Sequence, residues 1–258
     1  MLEQIKALAK EAGKILLEAV SAQVTAKDGV GNFVTDYDVR VQKLIFDRLR
    51  EIHPTASFMG EEDEIHSADL SGDCFIVDPL DGTQNFINGY RHSAVSIGMT
   101  RGGEPVLGVV YNPYMDELFW AEKGKGAYCN DVPIKASSAP LSESVLLFGC
   151  SSYNREQTDY TFRLLRQLFD RALDLRSSGS AALDLCYVAS GRVNLFFEYQ
   201  LSPWDYCAGS LILSEAGGKA TQLGGDPLDM EKPGSVLSAG PNAYGEALAC
   251  ARECLGLN

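Results

Sequence analysis

The 258-residue chain is acidic, with 35 Asp and Glu against 22 Lys and Arg and a formal net charge of -13. Its basic residues are scattered, which argues against nucleic acid and anionic membranes as partners, since both require a positive field. With 45% hydrophobic and 22% charged residues and no long biased segment, the chain reads as a globular protein of one large domain or two closely packed halves.

The opening stretch MLEQIKALAKEAGKILLEAV lacks the unbroken apolar run of a signal peptide or membrane span, and reads as a mature cytoplasmic start. Leu2, Ile5, Ala9, Ala12, Leu16 and Ala19 form one stripe, which predicts a helix over residues 2–21. A second helix is expected from Thr35, its N-cap, to His53-Pro54, burying Val41, Leu44, Ile45, Leu49 and Ile52. SFMG and CFIVD then read as short buried strands ending in acidic residues. SAVSIGMT, PVLGVVY and DELFWAE continue as an antiparallel meander. After SVLLFGC, the pattern gives a helix at 156–169, a strand at 172–176, a helix at 179–190 and the strand VNLFFEY. Two more strands and two more helices follow, the last from Tyr244. This order predicts a layered mixed α/β architecture of α+β type, with halves near 1–140 and 141–258 meeting in the turn-rich stretch 130–145. The seven cysteines form no CxxC pair and read as buried reduced thiols. Three histidines give little support to a histidine-rich metal cluster.

Chemistry concentrates in DPLDGT. Pro79 should end the strand, and Gly82 should allow a bend into a helix at Thr83, leaving Asp78 and Asp81 at the strand's exit. Two carboxylates within about 5 Å repel unless one keeps its proton or a cation neutralises both. Oxygen-only ligands select a hard cation, Mg²⁺ over zinc, with the Leu80 carbonyl as a further ligand. The amides of Gly82 and Thr83 would then face a phosphate at a helix N-terminus. A plain strand-to-helix turn capped by the two acids is the structural alternative. A nucleophilic aspartate is disfavoured, because phosphatases that form an aspartyl-phosphate use the shorter D-x-D-G-T. Glu61 and Glu62 after the first short strand, and Asp205 in PWDYCAG at a helix start, would be ordinary turn and cap residues taken alone.

In order along the chain, Gly60-Glu61-Glu62, Asp78-Pro79-Leu80-Asp81-Gly82-Thr83 and Trp204-Asp205-x-x-Ala208-Gly209 resemble the signatures of the inositol monophosphatase family. The similarity runs from about Val34 to Gly218, and KDGVGNFVTDYD extends it upstream. The resemblance implies an αβαβα sandwich of sugar-phosphatase type and a Mg²⁺-dependent, lithium-sensitive phosphomonoesterase, usually a homodimer. It implies that Glu61, Asp78 and the Leu80 carbonyl hold one Mg²⁺, that Asp78, Asp81 and Asp205 hold a second, and that Glu61 helps hold a third through water. Glu62 lies beside this shell. Thr83 and Asp38 match the pair that orients and activates the attacking water, a direct mechanism without a covalent enzyme intermediate. Asp38 also stands three residues after Thr35 in a capping arrangement, and both roles cannot use the same oxygen. Lys27 aligns with a family lysine near the metals, or is one more solvated charge.

The resemblance also suggests a small phosphorylated polyol as substrate, with inositol 1-phosphate first. Glu198 matches the acceptor of ring hydroxyls, its alternative being a solvated strand end. Gly179, Ser180 and Ala181 match the helix start lining the sugar side, and Asp81, Gly82, Thr83 and Asp205 are the other expected substrate-binding residues. Asn85-Phe86 is the inositol-type pair. Relatives acting on 3'-phosphoadenosine 5'-phosphate, fructose 1,6-bisphosphate or histidinol phosphate give the alternatives. From other classes, a non-catalytic metal-binding module has no use for Thr83 and Asp38, and a regulatory protein would bind partners without releasing phosphate.

Overall fold

The computed structural model describes residues 1–19, 24–26, 33–62, 68–150 and 155–257. Helix α1 (Leu2–Leu17) buries Ile5, Leu8, Ala9, Ala12 and Leu16 at amphipathic spacing. It stops short of the expected end at residue 21, because the stripe has no buried member after Leu16. An antiparallel ribbon of β1 (Val24–Ala26) and β2 (Phe33–Thr35) leads into α2 (Asp36–Ile52). Thr35 caps α2 as the sequence predicts. Its hydroxyl accepts from the Tyr37 and Asp38 amides, and its own amide donates to Asp38.

One seven-stranded sheet follows. It contains β3 (Ser57–Gly60), β4 (Asp73–Asp81) and, after the short helix α3 (Thr83–Ile87), β5 (Ala94–Arg101) and β6 (Glu104–Asn112). The strands β7 (Glu117–Glu122), β8 (Ala127–Cys129) and β9 (Val132–Pro133) complete it in sequence order. Strands β3 and β4 are parallel, and the rest is the expected antiparallel meander. The second sheet has the order β11-β10-β12-β14-β13. Its strands are β10 (Val145–Phe148), β11 (Asp174–Arg176), β12 (Leu195–Leu201), β13 (Lys219–Thr221) and β14 (Gly234–Ala239). Helices α4 (Thr158–Phe169), α5 (Ala181–Ala189), α6 (Pro203–Glu215) and α7 (Tyr244–Leu255) lie between or after these strands. The expected starts of α4 and α5 are each two residues early: a 3-10 turn, Arg155–Gln157, precedes α4, and the left-handed Gly179 holds the chain outside α5.

Alternation along the strands builds the layers. In β4, Phe75 and Val77 pack with α1 and α2, whereas Cys74 and Ile76 pack with α5 and α6. Burial on both faces explains the unbroken apolar run FIV. In the second sheet, Leu147, Phe196 and Val236 meet the α5–α6 layer, while Leu146, Leu195, Phe197 and Leu237 turn to α4 and α7. The order is therefore αβαβα, with α5 and α6 in the middle. Helix α6 sits hard against the first sheet. A Cβ on Gly98 would fall 2.5 Å from Cys207 Sγ, and one on Gly108 would fall 2.6 Å from the Ala208 carbonyl. Among the described residues, no helix is long and apolar enough to cross a membrane.

Candidate active site

The parallel pairing of β3 with β4 brings two acidic ends together. Gly60 pairs with Val77, so Glu61 leaves β3 beside Asp78, and its amide donates to the Val77 carbonyl at 3.3 Å. Gly60 itself is required by close approach, since a Cβ there would lie 2.4 Å from Gln42 Oε1. That Gln42 amide clamps the Glu62 backbone, accepting from its N–H at 3.0 Å and donating to its carbonyl at 2.6 Å. Pro79 does not end β4 as the sequence suggests. The strand runs on to Asp81 with a bulge, Asp78 opposite Ser96 and Asp81 opposite Ala94. A proline is tolerated because β3 has ended at Gly60, which leaves that edge of β4 without a ladder to supply. The Leu80 amide donates to Asp78 Oδ1 at 2.9 Å, fixing the turn between the acids.

Two helix starts in the middle layer complete the cluster. Asp81 Oδ2 accepts from Ser180 Oγ and from the Ala182 amide at 2.9 Å, at the N-terminus of α5. Asp205 is the third residue of α6 and closes a capping box with Ser202, whose amide donates to its Oδ2 at 2.7 Å. Ser96 Oγ, opposite Asp78, donates to the Trp204 carbonyl and ties this helix start to β5. One ligand oxygen each from Asp78, Asp81 and Asp205 lies within 4.8 Å of the others. Glu61 is not part of this tight set, though its charge acts on Asp78 and Asp205.

The cluster is electrostatically costly. Burial, then Glu61, Asp81 and Asp205, push the Asp78 carboxyl well above the usual range. Burial, then Asp81 and Glu61, do the same to Asp205. Asp81 is raised by burial to about 6, with its hydrogen bonds from Ser180 and the α5 amides opposing the shift.

Beside the cluster, Asp38 divides its two oxygens. Oδ2 takes the Thr35 amide at 2.7 Å and the Thr35 hydroxyl, completing the α2 cap. Oδ1 is reached by the Thr83 hydroxyl at 3.0 Å, and that hydroxyl also lies 3.1 Å from the Leu80 carbonyl. The competition expected between cap and site is thus resolved within one side chain. Gly82, at φ +87°, makes the left-handed turn that sets Thr83 at the start of α3.

Glu198 stands half-buried in β12, under the charges of Asp205, Asp184 and Asp81. Gly179 is exposed and Ala181 buried at the start of α5, but the Ser180 hydroxyl expected to line the pocket is turned onto Asp81. Lys27 lies outside the described residues. Sequence reasoning missed Asn85 as a bridge: its amide donates to the His92 and Ser178 carbonyls at 2.7 and 2.8 Å. It also missed Asp184, buried in α5 and accepting from Ser178 Oγ at 2.5 Å. A single acid in the apolar run AALDLCYVA was the available signal.

Like charges gathered on rigid elements, with carboxylate oxygens as donors, fit a hard divalent cation. Fold and site together define a class, the layered α/β phosphatases that act through metal held by acidic side chains. The inositol monophosphatase family profile matches residues 1–257, and the chain belongs to that family. It is therefore a phosphoric monoester hydrolase of a metal-dependent family. The chain is 35% identical over 240 residues to the Inositol-1-monophosphatase of Bacillus subtilis, covering 91% of this chain and 90% of that protein. It is 35% identical over 249 residues to the Nus factor SuhB of Salmonella typhimurium, covering 95% and 93%. Among solved structures, the extragenic suppressor protein suhB from Bartonella henselae superposes with a TM-score of 0.90 at 34% identity, covering 97% of this chain and 98% of that one.

Proposed function

We propose that the chain releases phosphate from a small phosphorylated polyol, with inositol 1-phosphate as the first candidate and Mg²⁺ as the cation. The observation carrying this reading is the meeting of Asp78, Asp81 and Asp205 with the Thr83–Asp38 pair at one strand exit. In this reading Glu61, Asp78 and the Leu80 carbonyl hold one cation, and Asp78, Asp81 and Asp205 hold a second. Glu61 helps hold a third through water. When bound, the cations supply the positive charge that an acidic chain lacks for stabilising the phosphoryl group, and they acidify water.

The chain's own residues do the rest. Thr83 Oγ1 orients the attacking water, and Asp38 Oδ1 receives its proton. Water attacks phosphorus in line, the ester P–O bond breaks with its electron pair going to the polyol oxygen, and that oxygen takes a proton from solvent water as the polyol leaves. The Gly82 and Thr83 amides receive phosphate oxygens. Glu198 accepts hydrogen bonds from the polyol hydroxyls, which would otherwise be left unpaired, while Gly179 and Ala181 line that side and Ser180 acts through Asp81. The family resemblance supports a lithium-sensitive homodimer, and the seven free cysteines support a reducing cytoplasm.

A second reading comes from the relative named Nus factor SuhB: a regulatory protein that keeps the fold. The intact Thr83–Asp38 pair favours catalysis. Phosphate release with Mg²⁺ from inositol 1-phosphate, 3'-phosphoadenosine 5'-phosphate, fructose 1,6-bisphosphate and histidinol phosphate, with and without lithium, decides. The highest kcat/KM is expected for inositol 1-phosphate, inhibited by lithium. Release from none of the four would remove the catalytic reading and leave the regulatory one.

A further inference from the structure

Glu198 lies where another residue's side chain would ordinarily be. A Cβ built on Gly149 would stand 1.9 Å from Glu198 Oε2, 2.3 Å from its Cδ and 2.9 Å from Oε1. Strand β10 runs parallel to β12 with Phe148 beside Phe197, and the Gly149 amide continues the ladder by donating to the Phe197 carbonyl at 3.0 Å. Gly149 is therefore the lateral neighbour of Glu198, and the carboxylate folds over its bare Cα. The backbone gives no reason for a glycine here, because Gly149 is not among the positive-φ residues. The three heavy atoms nearest to a side chain built there all belong to the Glu198 carboxylate.

The direction matters because of what else surrounds Glu198. The charges that bear on it are those of Asp205, Asp184 and Asp81, two of them members of the acidic cluster. The space over Gly149 lets Glu198 settle against β10, and any rotation that cleared a methyl group would take it from that position.

We propose that Gly149 is a specificity-determining position: by leaving room for the Glu198 carboxylate, it sets where a hydroxyl acceptor stands and so which leaving alcohols the pocket favours. This rests on the reading of Glu198 as the polyol's acceptor. Gly149 itself touches no substrate and acts by positioning Glu198.

A double-mutant cycle on the full chain with Mg²⁺ tests it, using Gly149→Ala, Glu198→Ala and both together. Substrates are inositol 1-phosphate and p-nitrophenyl phosphate, whose leaving group offers no polyol hydroxyls. Gly149→Ala should raise KM for inositol 1-phosphate by about tenfold with kcat changed less than about twofold, and leave KM for p-nitrophenyl phosphate within about twofold. In the Glu198→Ala background, the same change should add less than about twofold. Equal losses in both backgrounds, or no loss in either, overturn the proposal. The melting temperature of the four proteins reads the steric coupling separately: Gly149→Ala should lower it only when Glu198 is present. If Glu198→Ala leaves KM for inositol 1-phosphate unchanged while that coupling in melting temperature persists, the reading of Glu198 has failed and the packing relation has not. If the coupling is also absent, the positioning role itself is gone.

Discussion

Asp38 has two neighbours to satisfy and one oxygen for each, so the α2 cap and the contact to Thr83 draw on different oxygens of a single carboxylate. Replacing Thr35 with Ala removes the cap hydroxyl and should cost about 1 kcal/mol, read as a lower denaturation midpoint, with a much smaller loss of turnover than an Asp38 variant. Asp38→Asn keeps the shape but cannot accept a proton, so kcat should fall by about 10² to 10⁴. Comparable turnover for Asp38→Asn and wild type would end the assignment of Asp38 as proton acceptor. Asp78 offers a contrasting case, because burial and, after it, three other carboxylates raise its pKa. Asp78→Asn should abolish activity while raising the melting temperature of the metal-free protein by about 2 to 4 °C, as expected for relief of about 1 kcal/mol of repulsion in a chain this size. A drop in that temperature would mean the acids are not in conflict.

At the scale of elements, the site depends on how closely α6 docks on the first sheet. Gly98→Val would insert a side chain where Cys207 Sγ already lies, costing about 1 to 3 kcal/mol and displacing the helix start that carries Asp205. Activity should fall together with Mg²⁺ affinity measured by calorimetry. Unchanged affinity would detach Asp205 from this packing. What the sequence discloses about these elements depends on range. The Thr35 cap, the apolar stripe of α2, the meander and the acids of DPLDGT are local patterns, each legible within a dozen residues. The clamp of Gln42 on Glu62, the grip of Ser180 on Asp81 and the fit of Glu198 over Gly149 join residues 20, 99 and 49 apart, and nothing near either partner signals the other. Pro79 shows how a local rule misleads. A proline ends a strand where both edges need donors, and the early end of β3 frees one edge of β4. Ala208 and Gly209, met in the sequence only as part of a motif, pack against Gly108 of β6 and Leu185 of α5.

For the molecule as a whole, the raised carboxyls set a pH dependence whose sign follows from proton counting. Asp78, Asp81 and Asp205 bind protons more tightly folded than unfolded, where aspartate titrates near 4. Their contribution to the stability of the metal-free protein should therefore be full below the unfolded value near 4 and be lost as pH rises through the folded values, about 6 for Asp81. Half-buried His92, whose pKa is lowered by desolvation, opposes this below its ordinary value, but with one proton against several. Carboxyls held low by cationic partners, such as Asp73 beside Arg101 and His53, act only in more acidic solution. A melting temperature lower by on the order of 5 °C at pH 8 than at pH 5.5 is expected without metal, and saturating Mg²⁺ should recover it. A curve that rises over this range without metal would contradict the burial of these acids.

The middle layer gives this a mechanical side. Helices α5 and α6 lie between the two sheets, and each begins at an acid of the cluster, Asp81 gripped by the first and Asp205 carried by the second. Removal of bound cation by a chelator should then be felt well beyond the acidic cluster itself. Amide deuteration ought to quicken first in the opening turns of both helices and next along β12, whose Phe196 leans on them, while α1, on the outer side of the first sheet, keeps its protons longest.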